Sequence, residues 1–257
     1  MKFWNLVTFA DKANSVKQKY LNDYAESLGL VTHPYTQAWL KKQSCYKNNK
    51  EILSSETGAG YWLWKPYIIA NLMDKLDDGE LIIYSDVGDM FHPELFPYVE
   101  DLMGPDDPCL LLIGGFPQKL LTKRDCFVYM DCDEEDYWEC TQLEGGMQFW
   151  RNTPEARKIV GEWLEACTDR RILTDDENVS GKENFDGFRG HFHDQAVLTN
   201  LACKHGLSAV PQQDQIRNYL ECNVDYWYER NEKSGFNMGR PIESLLLQLK
   251  EDSPHVA

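Results

Sequence analysis

Asp86 and Asp89 close a short apolar stretch, Glu80-Leu81-Ile82-Ile83-Tyr84-Ser85, in the tetrad Asp86-Val87-Gly88-Asp89. A nearly continuous apolar run of this kind reads as a strand buried on both faces of a parallel sheet. Ligands of open α/β sheets sit beyond the carboxyl ends of such strands. A carboxylate at position 86 is therefore placed to hold a divalent cation or a ribose hydroxyl, and the cation in turn to bridge two phosphates. An Asp/Gly-rich turn without further role is the competing reading of the same residues. His191-Phe192-His193-Asp194-Gln195 forms a second cluster. Its histidines, two positions apart on an extended segment, share a side and are candidate metal ligands. Asp194 is open to three readings: a helix cap, a general base toward a hydroxyl, or a holder of a sugar. In Glu144-Gly145-Gly146 a carboxylate stands beside glycines that permit close approach of a ligand, although a tight turn gives the same pattern.

The chain carries a formal charge of −16. Such a surface repels a nucleic-acid backbone and anionic lipid, which excludes both as partners. A small phosphorylated ligand then requires a local group of cations or a bound metal. Lys65, Lys123 and Arg124 are the candidate cations for a diphosphate, with solvated surface as the alternative for Lys123. Trp62 and Trp64 precede Lys65-Pro66. Their rings suit stacking on a base or packing beneath a ligand, or anchoring the following helix in the core.

The elements that must position these groups alternate. Lys2 to Phe9 reads as an opening strand rather than a leader, and Lys12 to Leu28 has helical spacing ended by Gly29. A second helix is expected over Thr36 to Leu53. Another follows Pro66 to about Leu76, and strand 80–85 comes next. Pro93 opens a further helix, and Cys109 to Ile113 gives a strand. In the second half, Lys123 to Met130 suggests a short helix, with the acidic run Asp131 to Asp136 solvated after it. Gly146 to Arg151 reads as a strand, followed by a helix capped at Thr153 with Pro154 at its first position. Thr174 to Gly190 reads as a long loop. A helix from Asp194 to about His205 and a strand from Leu207 to Val210 follow, with an amphipathic stretch at Ile242 to Leu249. Alternation of this kind implies one α/β domain over 1–257 with an open, Rossmann-like mixed sheet flanked by helices. No stretch reaches the roughly 20 apolar residues of a membrane span. The eight cysteines lack any Cys-x-x-Cys pair, so a zinc knuckle is excluded, and reduced thiols in a cytoplasmic protein are expected.

Leu81 to Asp89 resembles the apolar-strand, Tyr-x-Asp-x-Asp signature of GT-A glycosyltransferases. Gly58-Ala59-Gly60-Tyr61-Trp62-Leu63-Trp64-Lys65-Pro66 is similar to the Trp-x-Trp-Lys-Pro block of a GT-A group found in bacterial surface-polysaccharide clusters and large DNA viruses of algae. Thr122 to Phe127, Gly145 to Arg151 with Trp163, and His191 to Gln195 continue the resemblance in order. It implies a GT-A fold with a nucleotide-sugar-binding half over about 1–115 and an acceptor half over about 116–257. It also implies transfer from a nucleotide-sugar donor, UDP being the commonest nucleotide of the fold, to a hydroxyl of a glycan or glycoconjugate acceptor. Whether a hexose or a pentose moves, and with inversion or retention, stays open. Thr8, Phe9 and Ala10 fall where GT-A folds lean against the base. Trp64, Lys65, Asp86, Lys123, Arg124, Gly145 and Gly146 are the other donor-site candidates. Asp194 and Glu144 are the catalytic candidates. Mn²⁺ or Mg²⁺ is expected on Asp86 and Asp89, with His191 or His193 completing the site. The chain departs from the family at position 88, where glycine replaces the second acid and Asp89 follows. A nucleotide-sugar-binding protein weakened in chemistry therefore stays open. A metal-dependent hydrolase is disfavoured, because Asp194 follows His193 directly and Gln195 replaces the histidine such enzymes need.

Overall fold

The computed structural model describes residues 4–91, 95–211 and 222–223. Its main sheet is mixed and runs β2-β1-β3-β7-β5, with β6 and β8 also paired to β5. The strands are β1 (Trp4–Ala10), β2 (Val31–Thr36), β3 (Leu81–Ser85), β5 (Cys109–Pro117), β6 (Thr141–Leu143), β7 (Met147–Arg151) and β8 (Ala209–Pro211). A separate two-stranded pairing joins β4 (Asp89–Met90) to β9 (Cys222–Asn223). β1 is parallel to both β2 and β3, and β7 runs antiparallel to β3 and β5. The longer helices are α1 (Ser15–Ser27), α2 (Trp64–Met73), α3 (Leu95–Leu102), α4 (Arg124–Tyr129), α5 (Pro154–Cys167) and α6 (His193–His205).

Both faces of the sheet are covered, which explains why its central strands lack polar alternation. Val7, Ile82 and Trp150 pack with Ile68, Trp163 and Val197 of the α2, α5 and α6 layer. Their chain neighbours Leu6, Ile83 and Phe149 pack on the opposite face with Leu21, Tyr24 and Val99 of α1 and α3. Adjacent residues enter opposite cores because side chains alternate along a strand. Polar residues inside β1 are satisfied rather than exposed. Thr8 Oγ1 accepts from Gln18 Nε2 at 3.1 Å and Asn22 Nδ2 at 3.3 Å, and Asn5 Nδ2 donates to Leu81 O at 3.2 Å.

The helix starts and stops follow local chemistry. Thr153 Oγ1 accepts from the Ala156 amide at 3.1 Å with Pro154 at the first position, as expected. Gly29, at φ +85°, ends α1 in the left-handed conformation that glycine adopts without strain. The single helix expected over 36–53 is instead three short pieces, Gln37–Leu40, Ser44–Asn48 and Lys50–Leu53. Gln43 is extended at φ −81°, ψ 156°, which breaks the ladder that a uniform helix needs. β2 escaped the sequence reading because it is an edge strand with a single buried residue and a proline inside, Val-Thr-His-Pro-Tyr-Thr. Cys140 and Cys203 are joined as a disulfide, which corrects the expectation of reduced thiols. They lie 63 residues apart in the chain, so spacing alone gave no hint of their proximity. The other described cysteines off the β4–β9 pair, Cys45, Cys109, Cys126, Cys132 and Cys167, are free and buried. Among the described residues no helix is long and apolar enough to cross a membrane. Pro93 and the stretch Ile242 to Leu249 lie outside the described residues.

Candidate functional site

The site forms where one line of strand is interrupted. The carbonyls of Pro108 and Leu112 accept from the Arg151 and Glu144 amides at 2.9 and 2.8 Å. These carbonyls are four residues apart, one just before β5 and one within it, and so point to the same edge. β6 and β7 therefore run in line along that edge, broken at Glu144-Gly145-Gly146. Backbone groups freed by the break are met by side chains from elsewhere. The Gly145 amide donates to Gln195 Oε1 at 2.8 Å, while its carbonyl accepts from Lys65 Nζ at 3.0 Å and Gln148 Nε2 at 3.2 Å. Beside it, the Asp86 amide donates to Gly146 O at 2.8 Å and the Asp89 amide to Asp86 O at 3.1 Å. A cavity of about 330 Å³ opens at this junction, with Lys65, Asp86 and Asp194 among its lining and Trp62, Phe192 and His193 along its walls.

Lys65 is 3% exposed and stands among acids. Its Nζ lies 3.1 Å from Asp194 Oδ2, 4.0 Å from Asp86 Oδ1 and 5.0 Å from the centre of the Tyr84 ring. Burial opposes the ammonium charge, yet the Asp194 and Asp86 carboxylates outweigh it and hold Lys65 above its usual pKa. Burial pushes the Asp194 carboxyl up, against the pull of Lys65 and with the Asp86 charge adding to the rise. Asp194 Oδ2 is buried and takes no aligned hydrogen bond, although Lys65 is within ion-pair distance. Tyr84 donates its hydroxyl to Asp86 Oδ1 and is driven well above its usual pKa, first by burial and then by Asp86. Asp86 itself keeps 43% of its side chain exposed, facing the cavity mouth.

The wall beside Lys65 is strained. Gly58, Ala59, Gly60, Tyr61 and Trp62 all have positive φ, between 52° and 107°. The Tyr61 amide reaches Thr57 O at 2.7 Å and the Trp62 amide Gly58 O at 3.3 Å, so this is one turn of left-handed helix. Each side-chain-bearing residue held there costs roughly 1–2 kcal/mol. His193 is also left-handed, at φ 44°, and its ring stacks on Trp62 with centroids 5.4 Å apart. Strain that gathers around one cavity is a mark of a built site rather than of general packing.

Other expected residues stand outside the cavity lining. Trp64 stacks on Phe9 at 3.9 Å and donates its indole N–H to Gly58 O at 2.8 Å, the core-anchor role. Thr8, Phe9 and Ala10 are buried at the end of β1 and do not line the cavity. Glu144 also stands outside the lining; its half-buried carboxyl is pushed up by burial and lies over Gly114. Lys123 and Arg124, the candidate diphosphate cations, lie outside the cavity lining. Lys123 Nζ donates to Asp176 O at 3.0 Å, and Arg124 pairs with Asp133 at 2.9 Å while stacking on Phe185 at 4.1 Å. Asp194 does not cap α6, since the helix begins at His193 after Phe192 and the Asp194 carboxylate turns to Lys65.

The histidines do adjoin each other, with ring centroids 5.2 Å apart. His191, however, bonds Ile172 O through Nε2 at 2.8 Å and accepts the Lys123 amide at Nδ1 at 3.3 Å, so neither nitrogen has a lone pair left for a metal. His193 bonds Leu173 O through Nδ1 at 3.0 Å and turns Nε2 toward Asp175, 3.8 Å away. Among the described residues no three His, Cys, Asp or Glu side chains gather into a metal site. Asp86 and Asp89 nonetheless converge: a Cβ built on Gly146 would lie 3.4 Å from Asp86 Oδ2 and 3.3 Å from Asp89 Oδ2. Two carboxylates without further protein ligands suit an ion of the Mg²⁺ type that completes its shell with substrate phosphates and water. They do not suit an all-protein cage.

Sequence reading missed three contributors. Tyr84 orients Asp86, Gln195 holds the Gly145 amide, and Gln148 supports its carbonyl. Tyr84 and Gln195 adjoin flagged acids in the chain, which was the available signal. Gln148 had none, because its role depends on the strand break.

No protein-family model matches the chain, and no curated protein matches it in sequence. Among solved structures it is similar to a glycosyltransferase involved in glycosylation of the major capsid of PBCV-1. Identity there is 10%, coverage 88% of this chain and 89% of that one, and the TM-score 0.44. Mouse xyloside xylosyltransferase 1 gives 11% identity, coverage of 81% and 84%, and a TM-score of 0.42. The galactosyltransferase LgtC, solved with donor and acceptor sugar analogues, gives 12% identity, coverage of 81% and 73%, and a TM-score of 0.41.

Proposed function

We propose that the chain is a glycosyltransferase that moves a sugar from a nucleoside-diphosphate donor, UDP being the first to test, to a hydroxyl of a glycan or glycoconjugate. The observation that carries this reading is the cavity at Asp86, in which a half-exposed acid turn meets the buried Lys65–Asp194 pair. Asp86 and Asp89 would hold Mn²⁺ or Mg²⁺, which when bound supplies the positive charge that a departing diphosphate needs.

In the transfer, the bond from the anomeric carbon to the phosphate oxygen breaks, and a bond from that carbon to the acceptor oxygen forms. The acceptor's proton leaves with its oxygen bonded. Asp194, whose carboxyl is raised by burial, is the cavity's candidate to receive it in an inverting reaction. Lys65 fixes Asp194 and the Gly145 carbonyl, so a sugar meets preset acceptors rather than mobile ones. Trp62 and His193 form a stacked wall that limits water at the reacting carbon. A cytoplasmic setting belongs to the same reading.

The test is a thermal-shift screen of nucleotide sugars with and without Mn²⁺, followed by product analysis. A donor that stabilises the protein only with the cation, and yields glycosylated product, supports the assignment. Binding without product would indicate a nucleotide-sugar-binding protein, and no binding at all would overturn the reading.

A further inference from the structure

Two exposed phenylalanines have no role so far, one of them on the cavity wall and the other on β5. Phe192, 43% exposed, stands on the cavity wall. Phe116, 45% exposed, stands on β5 where its pairing with β6 is irregular. Ile113 pairs with Leu143 and Pro117 with Thr141, so four steps along β5 face two along β6. The surplus residues form a bulge, the device by which a strand re-aims a side chain. Gly114 makes the bulge possible, because a Cβ there would lie 2.8 Å from Gln142 O.

Arg189 stands on Phe116 and shares a backbone segment with Phe192. Its guanidinium lies over Phe116, 4.7 Å from the ring centre, and among the described residues no carboxylate pairs with it. An exposed arginine without a carboxylate partner among the described residues is notable on a chain of net charge −16. The Arg189 amide donates to Leu120 O at 2.8 Å and the Phe192 amide to Leu121 O at 2.9 Å, so this segment is laid along 120–121 rather than loose. Three residues span at most roughly 10 Å, so the backbone of Phe192 lies within that distance of the backbone of Arg189.

We infer that Phe116, Arg189 and Phe192 form an acceptor platform for an oligosaccharide of at least two rings, a proposal that rests on the transferase reading above. A sugar ring has an apolar C–H face and a hydroxyl edge. Exposed flat rings beside a forked donor match both at once, whereas a purely apolar partner would leave the Arg189 donors unmet. The terminal ring enters the cavity along Phe192, and the next one lies on Phe116 with its hydroxyls toward Arg189. A lone monosaccharide fills only the first position, so the platform selects acceptors by length.

The test uses the full chain on an immobilised panel of malto-, cello-, xylo- and chito-oligosaccharides of one to four rings, with nucleotide-sugar binding measured in parallel. Retention of at least one series, growing from one ring to two or three, is expected. Phe116→Ala and Arg189→Ala should weaken that binding about tenfold, and Phe116→Trp should restore it. Phe116→Leu, apolar but not flat, should behave like the alanine variant. Nucleotide-sugar binding should be unchanged in the position-116 and position-189 variants. No retained series, equal binding of one ring and three, or Phe116→Leu matching wild type would each overturn the platform. Nucleotide-sugar binding that survives in those cases leaves the transferase reading standing. Glycan retention without any nucleotide-sugar binding would instead sink that reading and leave the platform as a carbohydrate-binding surface.

Discussion

Two polar regions of this molecule hold buried charges, and they hold them differently. Around loop 174–190 the charges are matched within the protein. The Asp125 carboxylate accepts the Val179 and Ser180 amides at 2.7 and 3.1 Å, Arg124 meets Asp133, and Lys182 reaches the same acid. At the cavity, Lys65 faces both Asp86 and Asp194, with Asp89 close to Asp86 across Gly146. Among the described residues Asp86 and Asp194 share that one lysine. A diphosphate brought to Asp86 and Asp194 would add negative charge beside theirs, which a bound cation would offset. Matched charge builds a scaffold, and surplus charge at an open mouth marks a site.

The contrast breaks first at Asp86. Asp86→Asn should lower transfer by on the order of a hundred- to a thousandfold, with thermal stability close to wild type because the side chain is half exposed. Initial rates and melting curves on the same preparation check this, and near-normal rates would remove the acid turn from the mechanism. Lys65→Met should destabilise by about 3–5 kcal/mol, since it leaves Asp194 buried without its partner. Urea unfolding measures it, and the double variant with Asp194→Leu should regain much of that stability but no activity.

A smaller effect concerns pH. Burial, then His193 and Lys123, holds His191 well below its usual value of 6.5. The unfolded chain therefore takes up a proton near pH 6.5 while the native chain does not. This contribution is fully present above pH 6.5 and is lost as pH falls toward the native value, at about 1.4 kcal/mol per pH unit. Unfolding free energies of wild type and His191→Asn at pH 7 and 5 should show a steeper fall for wild type, and parallel slopes would contradict it. Least of all, Asn184→Ala should cost about 1 kcal/mol by removing the acceptor of the Arg124 amide, without altering nucleotide-sugar affinity. A change in affinity there would blur the division between scaffold and site.

Much of the framework was legible because local patterns dictated it. β3 could be read from its apolar run and α5 from Thr153-Pro154, and Asp86 followed from the rule that ligands gather at strand ends. Lys65 was found, but its partner was not, because a diphosphate and a buried carboxylate ask the same thing of a lysine in sequence. The partners of Lys123 and Arg124 were hidden for a related reason: the Asp176 carbonyl and the Asp133 carboxylate reach them only after folding. His191 looked like a ligand until the structure occupied both nitrogens with backbone groups. The left-handed turn at 58–62 was anticipated only as a break at its glycines. Ala59, Tyr61 and Trp62 carry no sequence signal for positive φ.

The gap between β6 and β7 has one more consequence. Among the described residues, Gly145 is bonded through both of its backbone groups to side chains, from Gln195, Lys65 and Gln148, rather than to a neighbouring strand. Its amide hydrogen is thus released to solvent deuterium whenever Gln195 swings away, without any part of the sheet having to open. Exchange at this one position reports the wobble of the cavity floor, and a ligand that seats there should slow it while leaving the strand amides on each side as they were.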